Sequence, residues 1–138
     1  MNAAVASRSG EEHRRRPTKR ILVVDDSKTA RLANQMILEG HSYEVLLASD
    51  GREAVDKAIA EEPHLILLDL VMPNVDGLTA LRTIRSIDAT SRIPIIVVST
   101  RSGPDYLEQS YELGCSDYIT KPVDGVELLA KIRSLIGE

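Results

Sequence analysis

Leu65-Ile66-Leu67-Leu68-Asp69 is a continuous apolar run that ends in a carboxylate. Residues 21–26, with the sequence ILVVDD, and residues 118–122, with the sequence YITKP, have the same form, in which apolar residues are followed by charge. Uninterrupted apolar runs of this length are typical of strands buried on both faces of a parallel sheet. Because ligands bind outside the carboxyl ends of such strands, three acids and one amine are predicted to converge at one edge.

The rest of the chain alternates apolar runs with amphipathic segments. Strands are predicted near residues 20–25, 43–48, 65–69, 94–99 and 117–120. Between them, one helical stripe consists of Leu32, Ala33, Met36 and Ile37 and stops at Gly40. A second consists of Ala54, Val55, Ala58 and Ile59 and stops before Pro63. We interpret both stripes as the faces through which two helices pack on the sheet.

Three further helices are predicted. Leu78, Leu81 and Ile84 form the stripe of one, and Leu129, Ile132 and Ile136 form the stripe of the last. Asp124 and Glu127 resemble a capping pair for the last helix. The segment 103–113 has the weakest helical pattern of all. Strands that alternate with helices of this length predict a doubly wound α/β sheet with right-handed crossovers.

Composition limits both the fold and the function. The 138 residues are enough for one domain, and 43% hydrophobic content is enough for one core. Aromatic residues make up only 3%, with no Phe or Trp, which counts against recognition of RNA by base stacking. A lone Cys115, with no secretory signal and no apolar run long enough to cross a bilayer, favours a cytoplasmic protein that does not enter the membrane.

Charge separates the first residues from the rest. Residues 1–20 carry six basic groups and two acids, a net of +4, so the remainder carries −8. Residues 1–18 also lack apolar periodicity, so we predict a disordered basic leader at 1–18 and one folded domain at 19–138. The run Arg14-Arg15-Arg16 is interpreted as a solubilising tail rather than a nucleic-acid arm.

The acids predict a site for a hard cation and a phosphoryl group. Clustered carboxylates repel one another unless a cation neutralises them, and Mg²⁺ takes carboxylate oxygens together with phosphate oxygens. Asp69 can act as a nucleophile toward phosphorus, and Lys121 adds a second positive charge. Ser99, at the end of its strand, can donate a hydrogen bond to a phosphoryl oxygen.

These residues together resemble a known family. The set comprises Asp25-Asp26, Asp69 followed by Leu70-Val71-Met72-Pro73, Asp76-Gly77, Ser99-Thr100 and Lys121-Pro122. It resembles the receiver domain of bacterial response regulators of the chemotaxis-regulator type, and the likeness spans about residues 19–137. The resemblance implies a flavodoxin-like (βα)5 fold with five parallel strands in the order 2-1-3-4-5.

The resemblance also implies roles for the site residues. Asp69 would accept a phosphoryl group, with Lys121 and Ser99 contacting that group. Mg²⁺ would bind Asp26 and Asp69 directly, Asp25 partly through water, and the backbone carbonyl of Val71. Ser99 and Tyr118 would form a switch pair, and Lys121-Pro122 would be a cis peptide.

The resemblance further implies the partners. A histidine kinase or a phosphotransfer protein would donate the phosphoryl group. A downstream protein would bind the face made by the fourth helix, the fifth strand and the fifth helix, which could also form a homodimer. The chain would be a signalling switch, not an enzyme with an external substrate. It is expected to be either a stand-alone receiver or a receiver fragment of a larger regulator whose output domain is absent.

Two other classes fit the residues less well. A flavin- or nucleotide-binding protein should offer a phosphate cradle in its first loop, where this chain has Asp25-Asp26-Ser27. A phosphatase with an aspartate nucleophile has a second acid two residues later, where this chain has Val71. We further hypothesise that the apolar Val71, which with Arg101 flanks the route of water to the phosphoryl group, slows self-hydrolysis.

Overall fold

The computed structural model describes residues 18–71, 76–100 and 104–137. Strands and helices alternate along these ranges. The strands are β1 (Arg20–Val24), β2 (Glu44–Ala48), β3 (Leu65–Asp69), β4 (Ile95–Ser99) and β5 (Asp117–Thr120). The helices are α1 (Lys28–Glu39), α2 (Gly51–Glu61), α3 (Gly77–Ser86), α4 (Pro104–Glu112) and α5 (Gly125–Ile136). Each of the five predicted strands is confirmed to within one residue at either end.

The five strands form one parallel sheet in the order β2-β1-β3-β4-β5. This order confirms the flavodoxin-like (βα)5 prediction. It also places β1 and β3 side by side, with Val24 opposite Leu68. The residues that follow β1 and the last residue of β3 therefore meet at the carboxyl edge of the sheet.

Successive residues of each strand point to opposite faces of the sheet and pack into two separate hydrophobic clusters. Leu22, Ile66 and Val97 point to the cluster that contains Ala58 of α2 and Leu81 of α3. Their sequence neighbours point to the other face, where the cluster includes Leu38 of α1 and Leu128 and Ile132 of α5. Because both faces of the sheet are covered, β3 and β4 are buried along their whole length, as the unbroken apolar runs predicted.

The predicted packing face of α1 is only partly correct, because Ile37 is the one residue of the predicted stripe that packs against the core. Leu32 and Met36 lie at the surface, and the buried residues of the helix are Asn34 and Leu38. The turn before the helix explains this rotation, because Arg31 donates a hydrogen bond to the backbone carbonyl of Asp25. Arg31 is thereby turned toward the sheet edge, and Leu38, two helical turns later, lies on the same side.

The two C-terminal helices agree with their predictions. α4 forms, yet Leu107 and Tyr111 on its surface are exposed, which agrees with its weak apolar stripe. In α5, the Asp124 side chain accepts hydrogen bonds from the backbone amides of Val126 and Glu127, which confirms it as the N-cap.

Three further predictions concern the leader, membrane-spanning helices and one peptide bond. The predicted leader at 1–18 lies outside the described residues except for Thr18. Among the helices of the described ranges, none has both the length and the apolar content needed to cross a bilayer. The Lys121-Pro122 bond is cis, as the resemblance implied.

Candidate functional site

Three carboxylates meet at the carboxyl edge of the sheet. Asp25 and Asp26 follow β1, and Asp69 is the last residue of β3. One oxygen from each of the three lies within 4.8 Å of the other two, a spacing that fits a single bound cation. Asp25 and Asp69 are buried and Asp26 is exposed, so the cluster opens to solvent on the Asp26 side.

Asp25 is held by four hydrogen bonds. Its Oδ1 accepts from the backbone amide of Ser27 at 2.9 Å, and its Oδ2 accepts from Lys121 Nζ at 2.9 Å. Its backbone amide donates to Ala48, and its carbonyl accepts from Arg31 Nη1 at 2.6 Å. Both carboxylate oxygens of Asp25 already have protein donors, which supports the expectation that Asp25 meets a metal partly through water.

Lys121 joins the two buried acids. It follows β5, and its Nζ lies 2.9 Å from Asp25 Oδ2 and 3.6 Å from Asp69 Oδ2. Burial alone would lower the pKa of Lys121, but the hydrogen bond to Asp25 and the charges of both acids outweigh it and raise the pKa. Lys121 is therefore a fixed cation between the ends of β1 and β3.

Asp69 has a strongly perturbed pKa. Burial raises it from 3.8 to about 6, and repulsion from Asp25 adds to the effect, while Lys121 opposes it. The folded protein thus holds an Asp69 proton more tightly than the unfolded chain does. A buried carboxyl group with a raised pKa beside other charged groups is typical of a functional site.

The backbone after Asp69 is closely packed. The amide of Val71 donates to Asp69 Oδ1 at 3.3 Å, and the Val71 side chain is partly exposed beside the cluster. Gly77 begins α3 so close to this backbone that a Cβ there would lie 2.4 Å from the Leu70 Cα. Only glycine fits this position, and its amide donates to the carbonyl of Leu70 at 2.9 Å.

The predicted switch pair lies on β4 and β5. Ser99 ends β4 and is fully buried, and its carbonyl accepts from the amide of Lys121 at 2.9 Å. Tyr118 pairs with Val97 in the sheet, and its ring is also buried. The structure therefore places Ser99 at the same edge as the acids, with Tyr118 two residues below it on the neighbouring strand.

Sequence reasoning missed two residues that shape the site. Arg31 fixes the carbonyl of Asp25. The sequence feature that could have indicated this is a basic residue one turn into the helix that follows Asp25 and Asp26. Gly77 was noted as part of the Asp76-Gly77 motif, but its contact with the backbone after Asp69 was not predicted. Met72, Pro73 and Arg101 lie outside the described residues.

The cysteine and the two histidines of the described residues lie apart from this edge. Cys115 is buried, and burial raises the pKa of its thiol to about 11, so the thiol stays protonated and unreactive at neutral pH. His41 and His64 are exposed, in the connections that precede β2 and β3, and neither belongs to the carboxylate cluster.

Comparison with known proteins identifies the family. The family model described as response regulator receiver domain matches residues 21–133. The chain belongs to this family, whose members are signalling switches of phosphorylation-based two-component systems. This confirms the resemblance found in the sequence.

Individual relatives agree with this assignment. PilH of Pseudomonas aeruginosa is 38% identical over 118 residues, which cover 86% of this chain and 98% of PilH. The response regulator PleD of Caulobacter vibrioides is 40% identical over 116 residues, or 84% of this chain, but only 26% of PleD. The chain thus spans about a quarter of PleD, so the activity of the whole PleD protein does not transfer to it.

A solved structure that shares the fold was determined with a metal ion. The receiver domain of the sensor histidine kinase PA1611 from Pseudomonas aeruginosa has a TM-score of 0.82 and 30% identity, covering 88% of this chain and all of that chain. That domain was solved with a magnesium ion coordinated in its active site cleft.

Proposed function

We propose that this receiver domain accepts a phosphoryl group on Asp69 from a phosphohistidine of a histidine kinase or a phosphotransfer protein. The observation that carries the proposal is the placement of Lys121 Nζ within 2.9 Å of Asp25 and 3.6 Å of Asp69. Three strands that are distant in sequence deliver a nucleophile, its neighbouring acids and a cation to one edge. The domain turns over only its own phosphoryl group.

The transfer follows from the groups at this edge. A carboxylate oxygen of Asp69 attacks phosphorus, the P–N bond of the phosphohistidine breaks, and the imidazole leaves with the electron pair and takes up a proton. Lys121 and the Ser99 hydroxyl stabilise the charge on the transferred oxygens. Positioning and charge stabilisation supply most of the catalysis in such reactions.

We assign Mg²⁺ as the cofactor. The three carboxylates offer hard oxygen ligands within 4.8 Å of one another, and the exposed Asp26 leaves room for water and phosphate ligands. Asp26, Asp69 and the Val71 carbonyl would hold the ion, with Asp25 acting partly through water. The ion supplies positive charge that offsets the phosphoryl oxygens.

The response is proposed to pass through Ser99 and Tyr118 to the α4–β5–α5 face. A polar network supports this path, because Tyr111 of α4 and Lys131 of α5 both donate to Asp117 at the start of β5. Lys131 also donates to the carbonyl of Tyr118, and Asp117 accepts from the Tyr118 amide. The backbone of the switch tyrosine is thereby tied to both helices of the face that a downstream target, or a second copy, would bind.

The boundaries remain as proposed from the sequence, with a receiver at 19–138 and a basic leader at 1–18. The chain acts as a stand-alone switch or as the receiver of a larger regulator. Its lone buried thiol and its family's histidine-kinase partners favour the cytoplasm.

Intact-mass spectrometry after incubation with acetyl phosphate and Mg²⁺ tests this proposal. We expect the wild type to gain one phosphoryl mass and Asp69→Asn to gain none. Asp56→Asn, an exposed acid of α2, is the matched control and should behave as the wild type. Phosphorylation of Asp69→Asn, or none in a folded wild type that binds Mg²⁺, would show that the assignment is wrong.

A further inference from the structure

The loop between β1 and α1 is tied into a ring by hydrogen bonds. The Ser27 amide donates to Asp25 Oδ1 at 2.9 Å, and the Ser27 hydroxyl, at the N-cap of α1, accepts from the amide of Ala30 at 3.3 Å. Arg31 closes the ring, because its amide donates to the Ser27 carbonyl at 2.9 Å and its Nη1 donates to the Asp25 carbonyl at 2.6 Å. The loop that carries the acids therefore also fixes the Arg31 side chain.

The Asp25 carbonyl depends on Arg31 for its hydrogen bond. Among the residues that the structure describes, no other group donates to this carbonyl, and Asp25 is buried. A hydrogen bond from a charged guanidinium is shorter and stronger than one from a neutral donor. Removing the guanidinium would leave a carbonyl of a buried residue without a partner, so the carbonyl would have to turn to find one.

The orientation of this carbonyl determines where the Asp26 carboxylate points. The peptide group between Asp25 and Asp26 is planar, so its oxygen, its N–H and the Asp26 Cα move as one unit. In the described part of the chain, neither the amide nor the carboxylate of Asp26 has a hydrogen-bond partner of its own. The bond from Arg31 is therefore the described contact that holds this peptide group in place.

We propose that Arg31 is a positioning residue for the metal ion, which presupposes the proposed function, in which Asp26 holds Mg²⁺ directly. By holding the Asp25 carbonyl, Arg31 keeps the Asp26 carboxylate directed at the cation site. Asp69 is fixed by its place at the end of β3, whereas Asp26 lies in an exposed loop, so the spacing of the two ligands depends on that loop. Groups that orient metal ligands commonly change metal affinity by about ten- to hundredfold.

The charge of Arg31 acts against its hydrogen bond. A guanidinium close to the carboxylate cluster repels a metal cation, whereas the orientation that it imposes on Asp26 favours the cation. Neutralising Arg31 would therefore tighten Mg²⁺ binding if the charge mattered more, and weaken it if the orientation mattered more. The direction of the change in affinity separates the two effects.

Isothermal titration of the full chain with Mg²⁺ provides the test. Arg31→Met keeps the apolar stem and removes both the charge and the donors, and we expect it to weaken Mg²⁺ binding about tenfold. Arg31→Lys keeps the charge and one donor group and should bind Mg²⁺ within about threefold of the wild type. Lys28→Met is the matched control, because it removes an exposed positive charge at the start of the same helix and should leave the affinity unchanged or slightly tighter.

A second measurement needs no metal. In the metal-free protein, the NMR signal of the Asp26 amide should shift in Arg31→Met, because the peptide group turns, and should stay in place in Lys28→Met. Thermal unfolding checks that each variant is folded. Arg31→Gln, which is neutral and has a shorter side chain, replaces Arg31→Met if the latter does not fold, and should show the same loss of affinity.

Two outcomes would overturn the proposal. The first is a folded Arg31→Met that binds Mg²⁺ as tightly as the wild type or more tightly, which would leave Arg31 with a role in the fold of the loop alone. The second is a wild type that binds no Mg²⁺, or binds it no better than Asp26→Asn. That result would refute the metal assignment of Asp26 itself, so the failure of the proposed function can be told apart from the failure of the role given to Arg31.

Discussion

The carboxyl edge of the sheet and helix α4 differ in how well their polar groups are partnered. At the edge, Asp25 alone makes four hydrogen bonds, and Lys121 joins two acids. In α4, the hydroxyl of Ser110 is fully buried and finds no hydrogen-bond partner in the described part of the chain. We therefore expect the edge that is proposed to receive the phosphoryl group to be rigid, and α4, a helix of the proposed responding face, to be held weakly.

Gly77→Ala tests the rigidity of the edge and should have the largest effect. A Cβ at this position meets the Leu70 Cα at 2.4 Å, so the backbone after Asp69 must move. We expect a loss of about 3 kcal/mol in the free energy of unfolding, measured by urea denaturation.

Gly125→Ala is the matched control for this variant. A Cβ at Gly125 meets Ile37 at 3.7 Å, an ordinary contact, so stability should change little or rise slightly. If both substitutions change the free energy of unfolding equally, the backbone after Asp69 can move as easily as the start of α5.

Asp69→Asn in the metal-free protein should have the next largest effect, and it should stabilise. Because the folded pKa of Asp69, about 6, lies above 3.8, keeping the ionised form folded costs free energy above pH 6. The variant should gain about 2 kcal/mol there, and the gain should vanish as the pH falls below 3.8, where the wild-type carboxyl is protonated. Urea denaturation at both pH values measures this.

Asp117→Asn should have the opposite effect and lower the free energy of unfolding. Burial tends to raise the pKa of Asp117, but its hydrogen bonds to Lys131 and to the Tyr118 amide hold the pKa below its usual value. Its ionised form therefore stabilises the folded state at neutral pH, and that contribution is lost as the pH falls. If urea denaturation shows that Asp117→Asn stabilises the protein, then the ionised forms of Asp69 and Asp117 do not have opposite effects on stability.

Ser110→Ala probes the weakly held helix directly. Removing a buried hydroxyl without a partner and improving helix propensity should raise stability by about 1 kcal/mol. Hydrogen exchange should slow mainly in α4, because the unpartnered hydroxyl lies in that helix. Ser134→Ala on the exposed surface of α5 should leave exchange in α4 unchanged, and slowing throughout the protein would mean that α4 is not a separate weak element.

Val71→Asn should have the smallest effect, a change in the lifetime of the phosphorylated protein. Val71 lies beside Asp69, and its partly exposed apolar side chain offers water no hydrogen bond. Asparagine should speed dephosphorylation about threefold, less than 1 kcal/mol in barrier height. Val71→Leu keeps an apolar side chain and should leave the rate near that of the wild type. An unchanged rate in Val71→Asn would refute the hypothesis.

The sequence predicted the sheet and its charged edge because both depend on local patterns. An apolar run that ends in a charge, such as that before Asp69, specifies at once a buried strand and the side chain at its carboxyl end. Parallel pairing then brings these ends together whatever the loops do. The strand order came from the family resemblance, since nothing local in the chain records it.

The rotation of α1 and the contact of Gly77 could not be predicted in this way. α1 carries apolar residues on two sides, and the longer stripe, with Leu32 and Met36, is on the outside. The inward side carries Leu38, and Arg31 on the same side bonds to the Asp25 carbonyl, a contact that involves the three-dimensional turn. Gly77 lies close to Leu70 only because α3 starts directly over the end of β3.

Lys121 has a consequence for the life of the protein in the cell. Because its ammonium group already lies between Asp25 and Asp69, the acids have a counterion before any metal is bound. We therefore expect the domain to fold without magnesium and to remain folded through a shortage of the ion. Such a shortage is expected to silence the switch without reducing its abundance, so signalling resumes when the ion returns, with no new protein made.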